Sequence, residues 1–259
     1  MAEWSWDPDD FAALWFSDAY DRFPDPLQYT SRFEFRDGFA AHRKVVHARY
    51  SRDERYEIQA ALDTLGRAEL RIEIIGGTSK HKNSTGPGDV REYRIVGART
   101  RFGAVVMSQY GADPDYGPIR VRTFSSESLP SRLAASLPAC PPGSGKPLML
   151  HPDDLRPRRD GYMEDVARNT PREQYQRLVN RPTDGGGTAV LLAGPFHANT
   201  KPWNVLTWRD ISKDGRYTEQ RAEHITVRPT TVPDLTATFT TWIDRAQSRL
   251  ADKNKEPWD

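Results

Sequence analysis

The chain has 259 residues, of which 37 are basic and 36 acidic, so its formal net charge at pH 7 is +1. This balance gives no reason to expect nucleic acid or an anionic membrane as a partner, because both favour a concentrated positive field. Cys140 is the single cysteine, which excludes an intramolecular disulfide and a cysteine-based metal site within one chain.

Three helices are predicted before the first long strand. The first begins at Asp7, an N-cap followed by Pro8. The third begins at Ser51, which forms a capping box with Glu54, and ends at Gly66. The apolar positions are Phe11, Leu14 and Trp15 in the first helix, Phe39, Val46 and Tyr50 in the second, and Ile58, Ala61, Leu62 and Leu65 in the third.

Four strands follow, and one unusually long loop separates the first two. Apolar periodicity predicts strands over residues 69–75, 90–97, 102–110 and 119–124. The segment Gly76–Asp89 between the first two is polar and rich in glycine. Hairpin loops usually have two to five residues, so a loop of about 14 indicates a functional or disordered segment.

The second half of the chain repeats this order of elements. Residues 151–155 resemble residues 7–11, a short helix is predicted near 162–168, and a capping box at Thr170 opens another helix. Strands are predicted over 188–197, 201–211, 216–221 and 224–228. Thr231 then caps a helix with one apolar stripe, formed by Val232, Leu235, Phe239, Trp242, Ile243, Ala246 and Leu250.

The matching order predicts an internal duplication with a boundary in the middle. A short helix from Ser128, with Leu133 and Leu137, closes the first half as the Thr231 helix closes the second. We therefore expect an N-terminal half over 1–137, a Pro/Gly-rich linker over 138–150, a C-terminal half over 151–250 and a disordered tail over 251–259.

The sequence motifs that could indicate catalysis or the binding of phosphate or metal are weak. Residues 142–146 resemble a phosphate-binding loop, but Cys140 replaces its first glycine and Pro147 its Ser or Thr. Cys140 lies among prolines with no helix start to activate it, and His42 and His47 miss the spacing of two metal ligands on one helix. We predict no catalytic residue, cofactor or metal. Solvated surface explains most carboxylates, and core packing explains most of the seven tryptophans.

The chain resembles the EspG family, the cytosolic chaperones of actinobacterial ESX (type VII) secretion systems. The resemblance rests on the hairpin of residues 206–217, with Gly215-Arg216-Tyr217 as its return strand, and on residues 225–231 leading into the last helix. The helix ending at Leu65, the strands around the loop 76–89 and the linker before 150 also fit. Most of residues 7–249 are covered by this resemblance.

The resemblance implies an α+β fold with quasi-twofold halves, in which a central antiparallel sheet is flanked by two helical bundles. It also implies a non-enzymatic, cytoplasmic chaperone that keeps helical PE/PPE-type ESX substrates soluble and targets them for export. The implied partner is a PE/PPE-like heterodimer or a related helical-hairpin protein, without nucleic acid or membrane insertion, and the chaperone is a monomer or weak homodimer. The partner-binding residues implied are Ser79, Lys80, His81, Lys82, Asn83, Asp89, Phe196, Tyr175 and Arg177.

Two other hypotheses about the function stay open from the residues alone. One is a hydrolase-like enzyme with a site between the halves, which would need facing carboxylates or a Cys140–His pair. The other is a structural dimerisation module that uses an exposed edge of the sheet.

Overall fold

The computed structural model describes residues 2–112, 115–156, 170–198 and 200–253, and these form one ten-stranded sheet with six α-helices. In chain order the elements are β1 Glu3–Trp6, α1 Pro8–Trp15, α2 Arg36–Ala48, α3 Arg52–Gly66, β2 Leu70–Thr78, β3 Arg91–Thr100, β4 Gly103–Ala112, β5 Asp115–Phe124, α4 Leu129–Ala135, β6 Leu148–Leu150, α5 Pro171–Val179, β7 Thr183–Ala193, β8 Asn204–Ile211, β9 Gly215–Arg221, β10 Ile225–Pro229 and α6 Val232–Lys253.

The sheet is antiparallel and its strand order is quasi-symmetric. The order is β1-β5-β4-β3-β2-β7-β8-β9-β10-β6, so each half runs outward from the centre and its short first strand pairs with its last. At the centre Ile74 of β2 lies opposite Ala189 of β7. Pro8 and Pro152 each begin a helical turn two residues after an edge strand. The predicted α+β fold with quasi-twofold halves is confirmed.

Three apolar clusters hold helices on both faces of the sheet. One face is covered at its centre by α4 and α6, which pack on β2, β3, β7 and β8 through residues such as Leu133, Phe239 and Trp242. On the opposite face α1, α2 and α3 cover β3, β4 and β5. There α5 covers the outer strands β6, β9 and β10. Among the residues that the structure describes, no helix covers the middle of this second face, over β2, β7 and β8.

Several element boundaries differ from the prediction. β1 and β6 were not expected, because strands this short carry no readable alternation. Gly76 and Gly77 belong to β2, and Gly185–Gly187 belong to β7, so glycines read as loop residues lie in the two central strands. The predicted helix near 162–168 and most of the C-terminal tail lie outside the described residues.

The segment between the halves is tied to β9 by a buried arginine. Arg216 Nε and Nη2 donate to the two carboxylate oxygens of Asp210 at 2.7 and 2.8 Å, and Nη2 also donates to the carbonyl of Pro138 at 3.0 Å. Burial lowers the pKa of Arg216, but the bonds to Asp210 outweigh this and raise it. Backbone bonds join Arg216 to Pro141 and Gly143, so the linker is fastened to the C-terminal half.

Candidate partner-binding surface

The open middle of the second sheet face carries apolar side chains that face solvent. In β2, Leu70, Ile72 and Ile74 are buried under α4 and α6, so strand alternation directs Ile75 to the open face. Ile75 is 48% exposed, as is Val90 just before β3, and Val205 of β8 is 46% exposed. These three residues make an exposed apolar surface on and beside the central strands.

A groove of about 660 Å³ runs along this face, and part of its floor is bare backbone. Gly77 of β2 is paired with Gly186 of β7, and both line the groove. A Cβ added at Gly77 would approach Cγ1 of Val90 to 2.8 Å. Glycine at this point therefore lets the Val90 side chain pack directly on the backbone of β2, where both residues line the groove.

The loop Ser79–Val90 forms one wall of the groove and is held by hydrogen bonds to β7 and within the loop. The amide and hydroxyl of Ser79 donate to the carbonyl of Asp184 at 2.7 and 3.0 Å. His81 Nε2 lies 3.0 Å from the carbonyl oxygen of Asp89. The amide of Thr85 donates to the carboxylate of Asp89 at 2.8 Å, and this bond is the main cause of the lowered pKa of Asp89. The loop has 12 residues between its strands.

Polar and charged side chains form the wall on the C-terminal side. The hydroxyl of Tyr175 on α5 donates to Glu219 Oε2 at 3.0 Å and accepts from Arg221 Nη2 at 3.2 Å. Burial is the main cause of the raised pKa of Tyr175. Arg209 lines the groove, is exposed, and forms no ion pair within the described ranges. This wall can therefore offer a cation to a partner.

A second loop closes the opposite end of the central strands. The guanidinium of Arg71, on a residue only 4% exposed, donates to the carbonyls of Gly194, Pro195 and Ala198 at 2.8, 2.7 and 3.2 Å. Phe196 of this loop packs edge-on against Trp15 and Tyr20, at ring distances of 5.0 and 5.7 Å. The loop is thereby joined to the N-terminal helices.

The predicted contact residues fall into two regions. Ser79, Lys80, His81, Lys82, Asn83 and Asp89 lie in the loop beside the groove, and Tyr175 contacts groove-lining residues. Arg177 is exposed on α5 and pairs with Glu173 at 3.3 Å. Phe196 follows the other end of β7, about 30 Å away at about 3.4 Å per residue, and its ring is committed to Trp15 and Tyr20.

Sequence reasoning missed the apolar and glycine residues of the open sheet face. Ile75 and Val205 each stand next to another apolar residue, Ile74 and Leu206, at points where a half-buried strand should alternate. A doubled apolar position in a strand is the signal that could have revealed a second, exposed apolar surface.

The described residues offer little for catalysis. Burial, followed by the nearby charge of Asp210, raises the pKa of the Cys140 thiol to about 11, so it is protonated at neutral pH. No group of three or more His, Cys, Asp or Glu residues is placed to hold a metal within the described parts of the chain. In the same ranges, no helix combines the length and apolar character needed to cross a bilayer.

The fold and the groove define an α+β protein with a quasi-twofold sheet, in which the described helices α1–α3 and α5 leave an apolar surface of the sheet exposed between them. The profile of the EspG family matches residues 7–240, and the chain belongs to that family. A comparison with curated protein sequences finds no match.

Among solved structures, the chain is similar to the Mycobacterium tuberculosis type VII secretion system chaperone EspG5 in complex with the PE25-PPE41 dimer. The match covers 94% of this chain and 96% of that chain, with 16% identity and a TM-score of 0.55. At this identity the likeness shows a shared fold.

Proposed function

We propose that this protein is a non-enzymatic cytoplasmic chaperone that binds a helical type VII secretion substrate of the PE/PPE type in the groove over β2, β7 and β8. Binding covers the apolar tip of the substrate, keeps the substrate soluble and presents it for export. The EspG family membership and the complex of EspG5 with PE25-PPE41 support this assignment.

The observation that carries the proposal is the exposed apolar surface of Ile75, Val90 and Val205 on the open sheet face. Each side chain is about half exposed. Burying that exposed half against a partner contributes about 1 kcal/mol per residue to the binding free energy. Three such contacts supply only part of a micromolar affinity, which needs about 8 kcal/mol. The remainder must come from the walls of the groove, which are polar and charged.

The polar and charged side chains of the two groove walls can contact the substrate on both sides of this apolar surface. We assign the loop residues from Ser79 to Asp89 to one side of the bound helical tip, and Tyr175, Arg177 and Arg209 to the other. Phe196 is assigned to the far end of the surface, where the residue is partly exposed. A helical hairpin inserted between these walls would bury its apolar tip on Val205 and the glycine floor.

Replacement of Val205 by Asp tests the proposal. We expect the affinity for a PE/PPE-type heterodimer from the same genome to fall at least about tenfold, because a charge placed in an apolar contact costs more than 1.4 kcal/mol. Val45→Asp is the matched control, since Val45 is 57% exposed on α2 and does not line the groove. Titration calorimetry with the two variants gives the comparison, and equal affinities would overturn the assignment of the groove.

The loop is tested separately by replacing residues 80–89 with an Asn-Gly turn, which suits a two-residue hairpin. Ser79 and its bonds to Asp184 are retained. We expect weaker binding with a melting temperature close to that of the wild type, because the loop adds no residue to the apolar clusters. Unchanged affinity would remove the loop from the binding surface.

A further inference from the structure

A second concave surface lies on the N-terminal helices, away from the groove. It is a pit of about 370 Å³ whose buried floor includes Leu14 of α1 and Ile58 of α3. Helix α3 packs on β3, β4 and β5, whereas the groove lies over β2, β7, β8 and β9. A molecule held in the pit would therefore leave the groove free.

The rim of the pit is a single stripe of α3. Arg52, Arg55, Tyr56 and Gln59 are spaced i, i+3, i+4 and i+7, which places them on one side of the helix, and all four line the pit and are exposed. The acidic Glu57 lies on another side of α3 and lines a different depression. The residues that line the pit therefore include two arginines and an aromatic ring but no carboxylate.

The two arginines at the rim are not neutralised. Arg52 lies over the ring of Tyr56 at 5.6 Å, and its Nη2 donates to the Tyr56 hydroxyl at 3.3 Å. Arg55 Nη1 donates to backbone carbonyls of His47 and Tyr50 at 3.3 and 3.4 Å. Within the described ranges neither guanidinium forms an ion pair, in contrast to Arg49, which pairs with Asp10.

We propose that this pit is a second docking site, which binds an acidic peptide segment carrying one apolar anchor residue. The anchor inserts over Leu14 and Ile58 beside the Tyr56 ring, which is 62% exposed. Carboxylates on either side of the anchor pair with Arg52 and Arg55, whose planar guanidinium groups suit carboxylates. A concavity receives an inserted side chain, whereas a flat anionic membrane would need protruding apolar residues.

This site would let the chaperone hold an acidic segment of another protein while its groove carries a substrate. The segment belongs to a partner other than the helical tip bound in the groove. The proposal does not depend on the groove, because the two surfaces share no lining residue.

The test uses the full chain and a fluorescein-labelled acidic dodecapeptide with one central Trp. We expect saturable binding by fluorescence polarisation, and at least about tenfold weaker binding by the Arg52→Glu/Arg55→Glu variant, where attraction becomes repulsion. The matched control, Lys44→Glu/Arg245→Glu, has the same change of charge at exposed positions outside the pit and should bind within about twofold of the wild type. Tyr56→Ser should also weaken binding.

Two peptide variants separate the parts of the proposed ligand. A peptide with Asn and Gln in place of its acids, and one with Ser in place of Trp, should each lose most of the affinity. The proposal is overturned if the acidic peptide shows no saturable binding up to about 1 mM, or if both double variants bind it equally. It is also overturned if phosphatidylglycerol vesicles, but not the peptide, bind in an Arg52- and Arg55-dependent way.

Discussion

Removing the guanidinium of Arg216 should destabilise the whole fold, because it leaves a buried carboxylate without its partner. Arg216 is 1% exposed, and the side chain of its partner Asp210 is 8% exposed. Breaking a buried pair by removing one member costs about 3–5 kcal/mol, since the remaining charge stays buried and uncompensated. The Arg216→Met variant also loses the bond to the carbonyl of Pro138, which ties the linker to β9.

This loss is a large part of the 5–15 kcal/mol that stabilises a typical domain. At about 2–4 °C per kcal/mol for a chain near this size, the melting temperature of Arg216→Met should fall by roughly 10 °C. Differential scanning calorimetry and urea unfolding measure the change. Arg221→Met is the matched control on the same strand, because its ion pair with Glu219 is formed by a side chain that is 63% exposed and is worth about 1 kcal/mol or less.

A second variant separates an uncompensated charge from lost packing. In Arg216→Met/Asp210→Leu no buried charge remains, so most of the lost stability should return. The reasoning is refuted if Arg216→Met lies within about 1 kcal/mol of the Arg221→Met control, or if the double variant is less stable than Arg216→Met.

Three further predictions address other parts of the fold. Burial would raise the pKa of Asp214, but bonds from the Ser144 amide, Arg181 and Tyr217 hold it at about 2, below the unfolded value of about 3.9. The wild type should therefore have a higher free energy of unfolding than Asp214→Asn above about pH 4, and this difference should vanish as the pH falls towards about 2. A difference in urea unfolding that stays constant over this pH range contradicts the prediction. Arg71→Met should release the loop after β7, so chymotrypsin should cleave after Phe196 several-fold faster, and an unchanged rate would show that Arg71 does not hold the loop. Ser51→Ala removes the side-chain bond to the Glu54 amide and should lower the free energy of unfolding by about 1 kcal/mol, whereas Ser131→Ala, an exposed serine outside a capping box, should have a smaller effect.

Elements with strong local signals could be predicted from the sequence. The capping boxes at Ser51 and Thr170 form as expected and start α3 and α5. Thr231 and Asp234 bond reciprocally at the start of α6. In each case a few neighbouring residues determine the structure, because free amide groups at a helix start need a nearby acceptor.

Features that depend on distant partners could not be predicted. β1 and β6 are edge strands that exist only because each pairs with the last strand of its own half. Gly185–Gly187 read as a loop, but in the structure they pair with Gly76–Thr78 at the centre of the sheet. In the fold, Gly187 leaves space on the buried face for the ring of Trp208, a packing relation that the sequence does not display.

For the same reason, only part of the candidate site could be predicted from the sequence. The loop after β2 was predicted from its length and polarity, and the structure places it beside the groove. Whether Ile75 and Val205 are buried or exposed depends on which part of the sheet the helices leave uncovered. This arrangement is set by the packing of α1–α3 and α5, which single-strand periodicity does not report.

Hydrogen–deuterium exchange of the chain, alone and with a PE/PPE-type heterodimer, tests the central claim most directly. Loop amides between Lys80 and Val90 lie outside the strand pairing and should become protected in the complex, as should those after β7, while exchange in α4 and α6 should not change. Protection confined to the α4 and α6 face, or a complex that leaves the loop amides unprotected, would contradict the groove as the binding surface.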